Sequence, residues 1–154
     1  MGHTYTNLMY HGIFSTKERR PLLGAIPMAE LTKVVGGIIR DRDGKLLAFN
    51  GTENHVHLLA FFHPSRSVSD MFRDIKAVSC DWVHATFRGV LFSWQSGYGA
   101  FTVSKSNSPA VERYIVGQVE HHRKQTFEEE FKRILELHGI EYDIRYVFDS
   151  EVTG

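Results

Sequence analysis

Hydrophobic and polar side chains alternate at the start of this 154-residue chain and then change to a helical period. Residues 3–16 alternate and are rich in threonine and aromatic side chains, which predicts a strand. Pro21 and Pro27 mark a loop after this strand. Apolar residues recur at helical spacing through residues 28–40, so we predict the first helix there.

Two apolar runs follow this helix and predict an antiparallel hairpin. An Asp-Gly turn at residues 43–44 precedes the first run, residues 45–50. The second run, residues 56–62, begins after the four residues 51–54, a connection short enough for a hairpin.

The rest of the chain alternates between helix and strand. Residues 67–86, 108–124 and 126–138 predict helices, because each range combines helical spacing with a capping residue or a first-turn proline. Residues 92–104 are typical of a loop that leads into a strand, and residues 140–148 could add an edge strand.

The predicted order is β-α-β-β-α-β followed by two helices, of which the first carries Tyr114. It predicts the α+β class, with a ferredoxin-like core and an antiparallel sheet. We expect a single domain over residues 1–154, because a chain of this length can bury most of the surface that it exposes when unfolded. A ferredoxin-like fold hosts many unrelated functions and does not by itself predict an activity.

Composition narrows the class of protein. No apolar run approaches the roughly 18 residues needed to span a bilayer, and residues 1–10 lack the apolar core and cleavage site of a signal peptide. The single cysteine, Cys80, excludes an internal disulfide and is expected to be a small buried hydrophobe. We therefore expect a cytoplasmic protein without a membrane partner.

Charge is balanced overall but uneven along the chain. Eighteen basic and 18 acidic residues give a formal net charge of zero, which is unusual for a domain that binds nucleic acid. Residues 1–127 carry 15 of the basic and 10 of the acidic side chains, whereas residues 128–154 carry three and eight. The larger part of the chain is therefore basic, which permits phosphate binding but also fits ordinary surface charge.

Two histidines, His55 and His57, flank Val56 in the second run of the predicted hairpin. Alternate side chains of a strand share a face, so both imidazoles point the same way while Val56 points into the core. A strand presents two nitrogen ligands to one metal ion in this way. Two half-exposed strand histidines without a ligand would produce the same short pattern.

Tyr114 and Gln118 are four residues apart and lie on one face of their predicted helix. A phenol can attack phosphorus, but its usual pKa of about 10 means that a nearby metal ion or base must activate it. A glutamine oxygen is a hard ligand suited to Mg²⁺ or Mn²⁺. A packed tyrosine and a solvated glutamine are the alternative. His121, on the same face, could lie near the metal or contact DNA.

Aromatic residues and glycines at residues 94–101 could stack nucleobases and let a DNA backbone come close. A tight loop anchored by core aromatic residues fits them equally well. Tyr98 is the candidate stacking residue. The remaining candidates for DNA contact are basic side chains that could also be solvated surface: Lys17, Arg19, Arg20, Arg66, Arg73 and Lys76.

In this order, the motifs resemble the single-tyrosine HUH transposases of insertion sequences, the IS200-like family, over nearly the whole chain. "HUH" denotes histidine, a bulky apolar residue and histidine, here residues 55–57. Segments that also carry the resemblance are residues 14–17, 19–22, 94–101, 114–118, 120–124, 126–131, 138–143 and 145–146. Several motifs matching in order are far more specific than any one of them.

Two positions depart from the family pattern. The residue before the first histidine is often aspartate and is Asn54 here, and the residue before the glutamine is often asparagine and is Gly117 here. Neither change replaces a ligand or the nucleophile. A glycine destabilises a helix by about 1 kcal/mol relative to alanine, so Gly117 is expected to loosen the tyrosine helix.

The resemblance implies a DNA transposase that nicks and rejoins single-stranded DNA in the bacterial cytoplasm. His55, His57 and Gln118 would hold Mg²⁺ or Mn²⁺, and Tyr114 would become linked to the 5′-phosphate and free a 3′-OH. Family members bind a DNA hairpin near each transposon end. They act as homodimers in which the histidine pair and the tyrosine helix of one site come from different subunits.

Other functions remain open at this point. A domesticated relative would process repeated palindromes, and its gene would lack the hairpins that flank a transposon at both ends. A non-catalytic module that binds single-stranded nucleic acid would form no metal-dependent covalent adduct. A plasmid-replication relaxase shares the histidine pair, but the chain shows no extra domains that would support it.

Overall fold

A computed structural model of the chain describes residues 2–143 and 147–148. Its four strands form one antiparallel sheet in the order β2-β3-β1-β4. The strands are β1 (Met9–Ser15), β2 (Lys45–Gly51), β3 (His55–Phe61) and β4 (Gly99–Thr102). The order and direction of the strands confirm the predicted α+β class and ferredoxin-like core.

Five α-helices accompany the sheet within the described residues. They are α1 (Met28–Arg40), α2 (Val68–Thr86), α3 (Ser108–Val116), α4 (Gln118–His121) and α5 (Phe127–Leu137). Both helices of the predicted ferredoxin-like core form where their apolar spacing placed them. The Ser67 hydroxyl caps α2 by accepting a hydrogen bond from the Asp70 N–H.

The first strand is shorter than its sequence pattern predicts. Alternation begins at residue 3, whereas β1 begins at Met9, which pairs with Phe61 at the end of β3. Residues 2–7 are exposed. One backbone hydrogen bond beyond the Met9–Phe61 pair, from the Phe62 N–H to the Leu8 carbonyl, is the last between these two segments. Alternation alone cannot show where the partner strand ends, so that part of the prediction was wrong.

The predicted tyrosine helix is interrupted at Gly117. Its backbone (φ −85°, ψ 15°) departs from helical values, so α3 ends at Val116 and α4 begins at Gln118. Hydrogen bonds from the Gly117 N–H to the Arg113 carbonyl and from the His121 N–H to the Gly117 carbonyl continue across the break. The loosening expected of this glycine is therefore local.

The last helix, α5, begins and ends where its capping residues predicted. The Thr126 hydroxyl accepts a hydrogen bond from the Glu129 N–H, and Gly139 adopts a positive φ of 65° just beyond the helix. The predicted edge strand over residues 140–148 does not form at residues 140–143 or 147–148; residues 144–146 lie outside the described part of the chain.

The two faces of the sheet are covered by different helices. Phe14 and Val56 belong to the core cluster that also contains α1 and α2 residues. Ile13 packs instead with apolar residues of α5, and Leu59 packs with Ile115 of α3. Because side chains alternate along a strand, His55 and His57 share the face of Leu59 and lie beneath α3 and α5.

None of the helices that the structure describes is both long and apolar enough to cross a bilayer. Cys80, predicted to be buried, is only partly buried on α2.

Candidate active site

Both histidines of the HUH motif are fully buried, unlike the half-exposed pair that the alternative interpretation required. Strand β3 is the second strand from one edge of the sheet, with β1 and β2 on either side. Gln118 is also fully buried, and its Oε1 lies 3.1 Å from His55 Nε2. The alternative interpretation, a solvated Gln118, is therefore wrong, and tertiary structure brings this predicted ligand to the histidine pair.

Each imidazole is fixed through its Nδ1 atom, which leaves Nε2 facing the centre. His55 Nδ1 lies 2.9 Å from Asn54 Oδ1 and 3.0 Å from Thr52 Oγ1. His57 Nδ1 lies 2.8 Å from Nε2 of His11, a buried residue of β1. Partners at the far ring nitrogen set the tautomer and orientation of histidines that bind metals. Asn54, a departure from the family pattern, still supplies an oxygen for this contact.

Glu130 lies at the middle of the cluster and was not predicted. This fully buried carboxylate of α5 places Oε1 2.9 Å from His57 Nε2 and 3.4 Å from His55 Nε2. Its Oε2 accepts a hydrogen bond of 3.3 Å from Gln118 Nε2. Ligand atoms of four residues lie within 4.8 Å of one another: His55, His57, His122 and Glu130.

Sequence reasoning missed Glu130 because it is the third of three consecutive glutamates, a run typical of the solvated first turn of a helix. A signal was nevertheless present. Glu130 lies three residues after Phe127 and four before Ile134, both buried, so it falls within the apolar stripe of α5.

His122 also joins the cluster, although the sequence favoured its neighbour His121. His122 Nε2 lies 3.1 Å from Glu130 Oε1, but it is buried without a correctly oriented hydrogen-bond partner among the described residues. His121 lies nearer the tyrosine, with Nε2 3.3 Å from Tyr114 Oη. The two histidines therefore face different parts of the site.

Tyr114 completes the site from α3. Its hydroxyl donates a hydrogen bond to Glu130 Oε2 and accepts one of 3.2 Å from Arg133 Nη2. Its ring packs edge-on against His57, with ring centroids 5.8 Å apart. Burial, followed by the Glu130 carboxylate, raises the pKa of Tyr114 well above its usual range. The phenol therefore needs an activator if it is to act as a nucleophile.

The donor atoms of this centre fit a divalent cation. Gln118 Nε2 donates to Tyr114 O (3.4 Å) and Glu130 Oε2, so its Oε1 must face His55. This oxygen lies 3.1 Å from His55 Nε2, and His122 Nε2 lies 3.1 Å from Glu130 Oε1. Imidazole nitrogens and amide and carboxylate oxygens of these kinds are ligands of divalent cations.

Burial and charge together favour the ligand forms of His57 and Glu130. Burial lowers the pKa of His57 to about 4, which keeps its imidazole neutral near pH 7. Burial raises the pKa of Glu130, but the imidazoles of His122, His55 and His57 outweigh it and hold that pKa well below its usual range. Glu130 is therefore a carboxylate at neutral pH.

Stability of the metal-free protein should fall as the pH is lowered from 6.5 to 4. Burial lowers the pKa of His57 to about 4 and that of His11 to about 3, whereas histidines in the unfolded chain titrate near 6.5. The unfolded state then binds protons that the folded state does not, so acid favours unfolding. We expect a decrease on the order of 3 kcal/mol in the free energy of unfolding, measured by urea titration in EDTA.

Other groups of the cluster act outside this window. The pKa of His122 is raised because contact with Glu130 outweighs burial, so its stabilising effect is complete below pH 6.5 and is lost at higher pH. The lowered pKa of Glu130 adds to the loss only below about pH 4.5. His11→Phe removes one of the two responsible groups and should reduce the decrease. An unfolding free energy that stays constant from pH 6.5 to 4 contradicts the prediction.

The basic residues proposed for DNA contact do not gather at this cluster. Arg19 pairs with Glu128 at 2.7 Å, Arg20 with Glu18 at 2.8 Å, and Arg73 with Asp74 at 3.1 Å. Lys17 lies in the short 3-10 turn that also carries Arg19, and exposed Arg66 precedes α2.

Loop 94–99 lies over α2, on the sheet face opposite the histidines. Trp94 is buried, so the loop is anchored in the core. Tyr98 is 39% exposed and stacks on Phe72, with ring centroids 4.3 Å apart. Lys76 donates to the carbonyls of Gln95 and Gly97, which ties the loop to α2. Tyr98, Lys76 and Arg73 thus line one hollow of about 490 Å³ away from the site.

A separate hollow of about 620 Å³ opens beside the tyrosine. Its lining includes Tyr114, His121 and two cations, Arg113 and Lys124. It gives a ligand access to the phenol from solvent.

The family model described as "Transposase IS200 like" matches residues 4–118. The matched range contains the histidine pair, Tyr114 and Gln118, and it ends before His122 and Glu130.

Two similar relatives are transposases for insertion sequence element IS200, one from Salmonella typhimurium strain LT2 and one from Salmonella typhi. Each is 28% identical over 130 residues, which cover 78% of this chain and 82% of the relative.

Solved structures of transposases share the fold. A candidate transposase of Deinococcus radiodurans R1 is 25% identical, with a TM-score of 0.60 over 77% of this chain and 96% of its own. A REP-associated tyrosine transposase bound to a REP hairpin is 18% identical, with a TM-score of 0.55 over 79% of this chain and 74% of its own.

Proposed function

Because this chain belongs to the IS200-like transposase family, we propose that it is a metal-dependent endonuclease and strand transferase for single-stranded DNA. In this proposal residues 1–154 form one HUH endonuclease domain that cleaves DNA through a 5′-phosphotyrosine. The observation that carries it is the convergence of a buried histidine pair and Gln118 on Glu130, whose carboxylate accepts a hydrogen bond from the hydroxyl of Tyr114.

We assign His55, His57 and Gln118 as ligands of Mg²⁺ or Mn²⁺, with Glu130 and His122 close enough to contribute. Imidazole nitrogens alongside carboxylate and amide oxygens form a mixed donor set that suits Mn²⁺ well. Such an ion, when bound, would act as a Lewis acid on the scissile phosphate.

Tyr114 is the proposed nucleophile. Its Oη forms a bond to phosphorus while the bond from phosphorus to the 3′-oxygen breaks. The phenolic proton passes to water in the hollow beside Tyr114, because the lowered pKa of Glu130 makes that carboxylate a weak base. The departing 3′-oxygen takes a proton from water. Attack by a 3′-OH on the phosphotyrosine reverses the step and joins strands, because the phosphotyrosine retains the energy of the original ester bond.

The proposed DNA substrate carries hairpin ends, as does the ligand of the REP-associated relative. The hollow beside Tyr114 is lined by the cations Arg113 and Lys124 as well as by the carboxylates Glu120 and Glu129. The two cations suit the phosphates of a single strand that approaches the phenol. We propose that the protein acts in the bacterial cytoplasm, on DNA of the nucleoid.

A homodimer is also proposed, although this structure assembles the site within one chain. Asn50 Nδ2 of β2 donates a 2.9 Å hydrogen bond to the Val116 carbonyl and holds α3 over its own sheet. If two subunits exchange their tyrosine helices, this contact would re-form between them.

The test uses single-stranded oligonucleotides that tile both flanks of the gene. With Mn²⁺ we expect one flanking hairpin to yield a covalent protein–DNA adduct on a denaturing gel. EDTA should reduce its rate of formation by at least about a hundredfold, because the metal provides several kcal/mol of charge stabilisation. An adduct that forms equally in EDTA contradicts the metal role, and binding without any adduct favours a non-catalytic binding module.

A further inference from the structure

Arg133 directs its guanidinium at the proposed nucleophile. It lies on α5 three residues after Glu130, so both side chains project from the same face of the helix. Its Nη2 donates a 3.2 Å hydrogen bond to Tyr114 Oη, and its Cζ lies 6.0 Å from the centroid of the tyrosine ring. The phenol is thus held between the Glu130 carboxylate and a cation.

No carboxylate within residues 2–143 and 147–148 lies within 4 Å of the Arg133 guanidinium to neutralise it. Other arginines at the surface differ: Arg19 pairs with Glu128, and Arg123 pairs with Glu120 at 3.2 Å. Two carboxylates of α5 lie three residues from Arg133 and contact other groups: Glu130 contacts histidines and Tyr114 itself, and Glu136 accepts a hydrogen bond from Tyr142 Oη. Arg133 therefore retains its charge for an anion that arrives at the phenol.

The anion that must arrive there in the proposed reaction is the scissile phosphate. When Oη becomes bonded to phosphorus, the two non-bridging oxygens lie one bond beyond it, within reach of a guanidinium that already touches Oη. A planar guanidinium can donate two parallel hydrogen bonds to such a pair of oxygens. It can also stabilise the charge that develops on them in the transition state.

We propose that Arg133 is a catalytic residue that binds the non-bridging oxygens of the scissile phosphate while Tyr114 attacks. This inference rests on the proposed function, because it requires Tyr114 to be the nucleophile. Arg133 does not contact the proposed metal ligands, so its effect should be separable from metal binding.

The first experiment compares variants of α5 in adduct formation with the flanking hairpin oligonucleotide and Mn²⁺. Arg133→Ala should slow adduct formation by about a hundredfold or more. Arg133→Lys should recover part of that rate, because the lysine ammonium keeps the positive charge but not the planar pair of donors of the guanidinium. Lys132→Ala, a neighbouring cation directed at Phe148 instead, is the matched control and should stay within about threefold of wild type. Mn²⁺ affinity from calorimetry should be unchanged in all three.

The second experiment removes the charge that Arg133 is proposed to bind. With a methylphosphonate at the mapped cleavage position, wild type and Arg133→Ala should form adduct at equal rates. A hundredfold difference that persists on this neutral linkage overturns the inference, as does a normal rate of Arg133→Ala on the natural phosphodiester. If wild type forms no adduct on any oligonucleotide, the proposed function fails and this inference fails with it. Melting temperatures confirm folding, with Arg133→Gln as a second neutral variant.

Discussion

Tyr114→Phe should abolish the covalent adduct while leaving the binding of hairpin DNA within about twofold of wild type. The substitution removes the only atom that can become bonded to phosphorus, and loss of a nucleophile reduces rates by at least about a thousandfold. The ring itself remains, with its contacts to His57 and His121. Adduct is measured on a denaturing gel, and binding by electrophoretic mobility shift with the same oligonucleotide.

The loss of one hydroxyl should leave the fold intact. Glu130 Oε2 loses the donated hydrogen bond, which we expect to lower the free energy of unfolding by about 1 kcal/mol. Tyr98→Phe, which removes the hydroxyl of a tyrosine on the opposite face of the sheet, is the matched control and should react at the wild-type rate. Adduct from Tyr114→Phe at more than a tenth of the wild-type rate would remove Tyr114 from the mechanism.

His57→Ala is expected to have the second-largest effect, through the metal. This side chain contributes Nε2 to the centre and lies 2.9 Å from Glu130 Oε1. Loss of a residue that hydrogen-bonds to a metal ligand weakens metal binding by up to about a hundredfold. Loss of a ligand itself should therefore weaken Mn²⁺ binding by at least about a hundredfold. Calorimetry measures the affinity, and the adduct assay at increasing Mn²⁺ should show a matching shift. His63→Ala, an exposed histidine just beyond β3, controls for the loss of an imidazole.

Gln118→Ala separates two versions of the ligand set. If Gln118 is a ligand, as the resemblance implied, Mn²⁺ affinity should fall by about tenfold or more. If Glu130 and His122 complete the site without it, affinity should hardly change while Glu130→Gln reduces it. Full affinity and activity in His57→Ala and Gln118→Ala together would exclude the proposed ligands. Thermal melts show whether each variant remains folded.

Prediction from the sequence succeeded where a pattern is local. Helix α1 forms over the residues that its apolar spacing predicted, and Thr126 caps α5 through its own neighbour. The two histidines share a face because strand geometry fixes the direction of alternate side chains. Each of these features depends on residues within one or two turns or strand positions, so the sequence contains the information needed.

Prediction failed where the outcome depends on a distant partner. The start of β1 at Met9 depends on where β3 ends, at Phe61, 52 residues further along the chain. His11 acquires its contact with His57 because β1 and β3 pair in one particular register. Glu130 stands in a run with Glu128 and Glu129, and only its position in the apolar stripe of α5 indicated that the docking of α5 would bury it. The break at Gly117 was foreseen only as a loosening.

Local patterns were enough to predict the elements, the ferredoxin-like order, and the residues that resemble an HUH pair, a tyrosine and a glutamine. Only the packing of the elements shows that these residues meet, that Glu130 and His122 join them, and that Arg133 reaches the phenol. The physical reason is that secondary structure follows from local periodicity and capping. A buried polar cluster forms only when separate elements pack, because each burial requires a partner from another element to compensate for lost solvation.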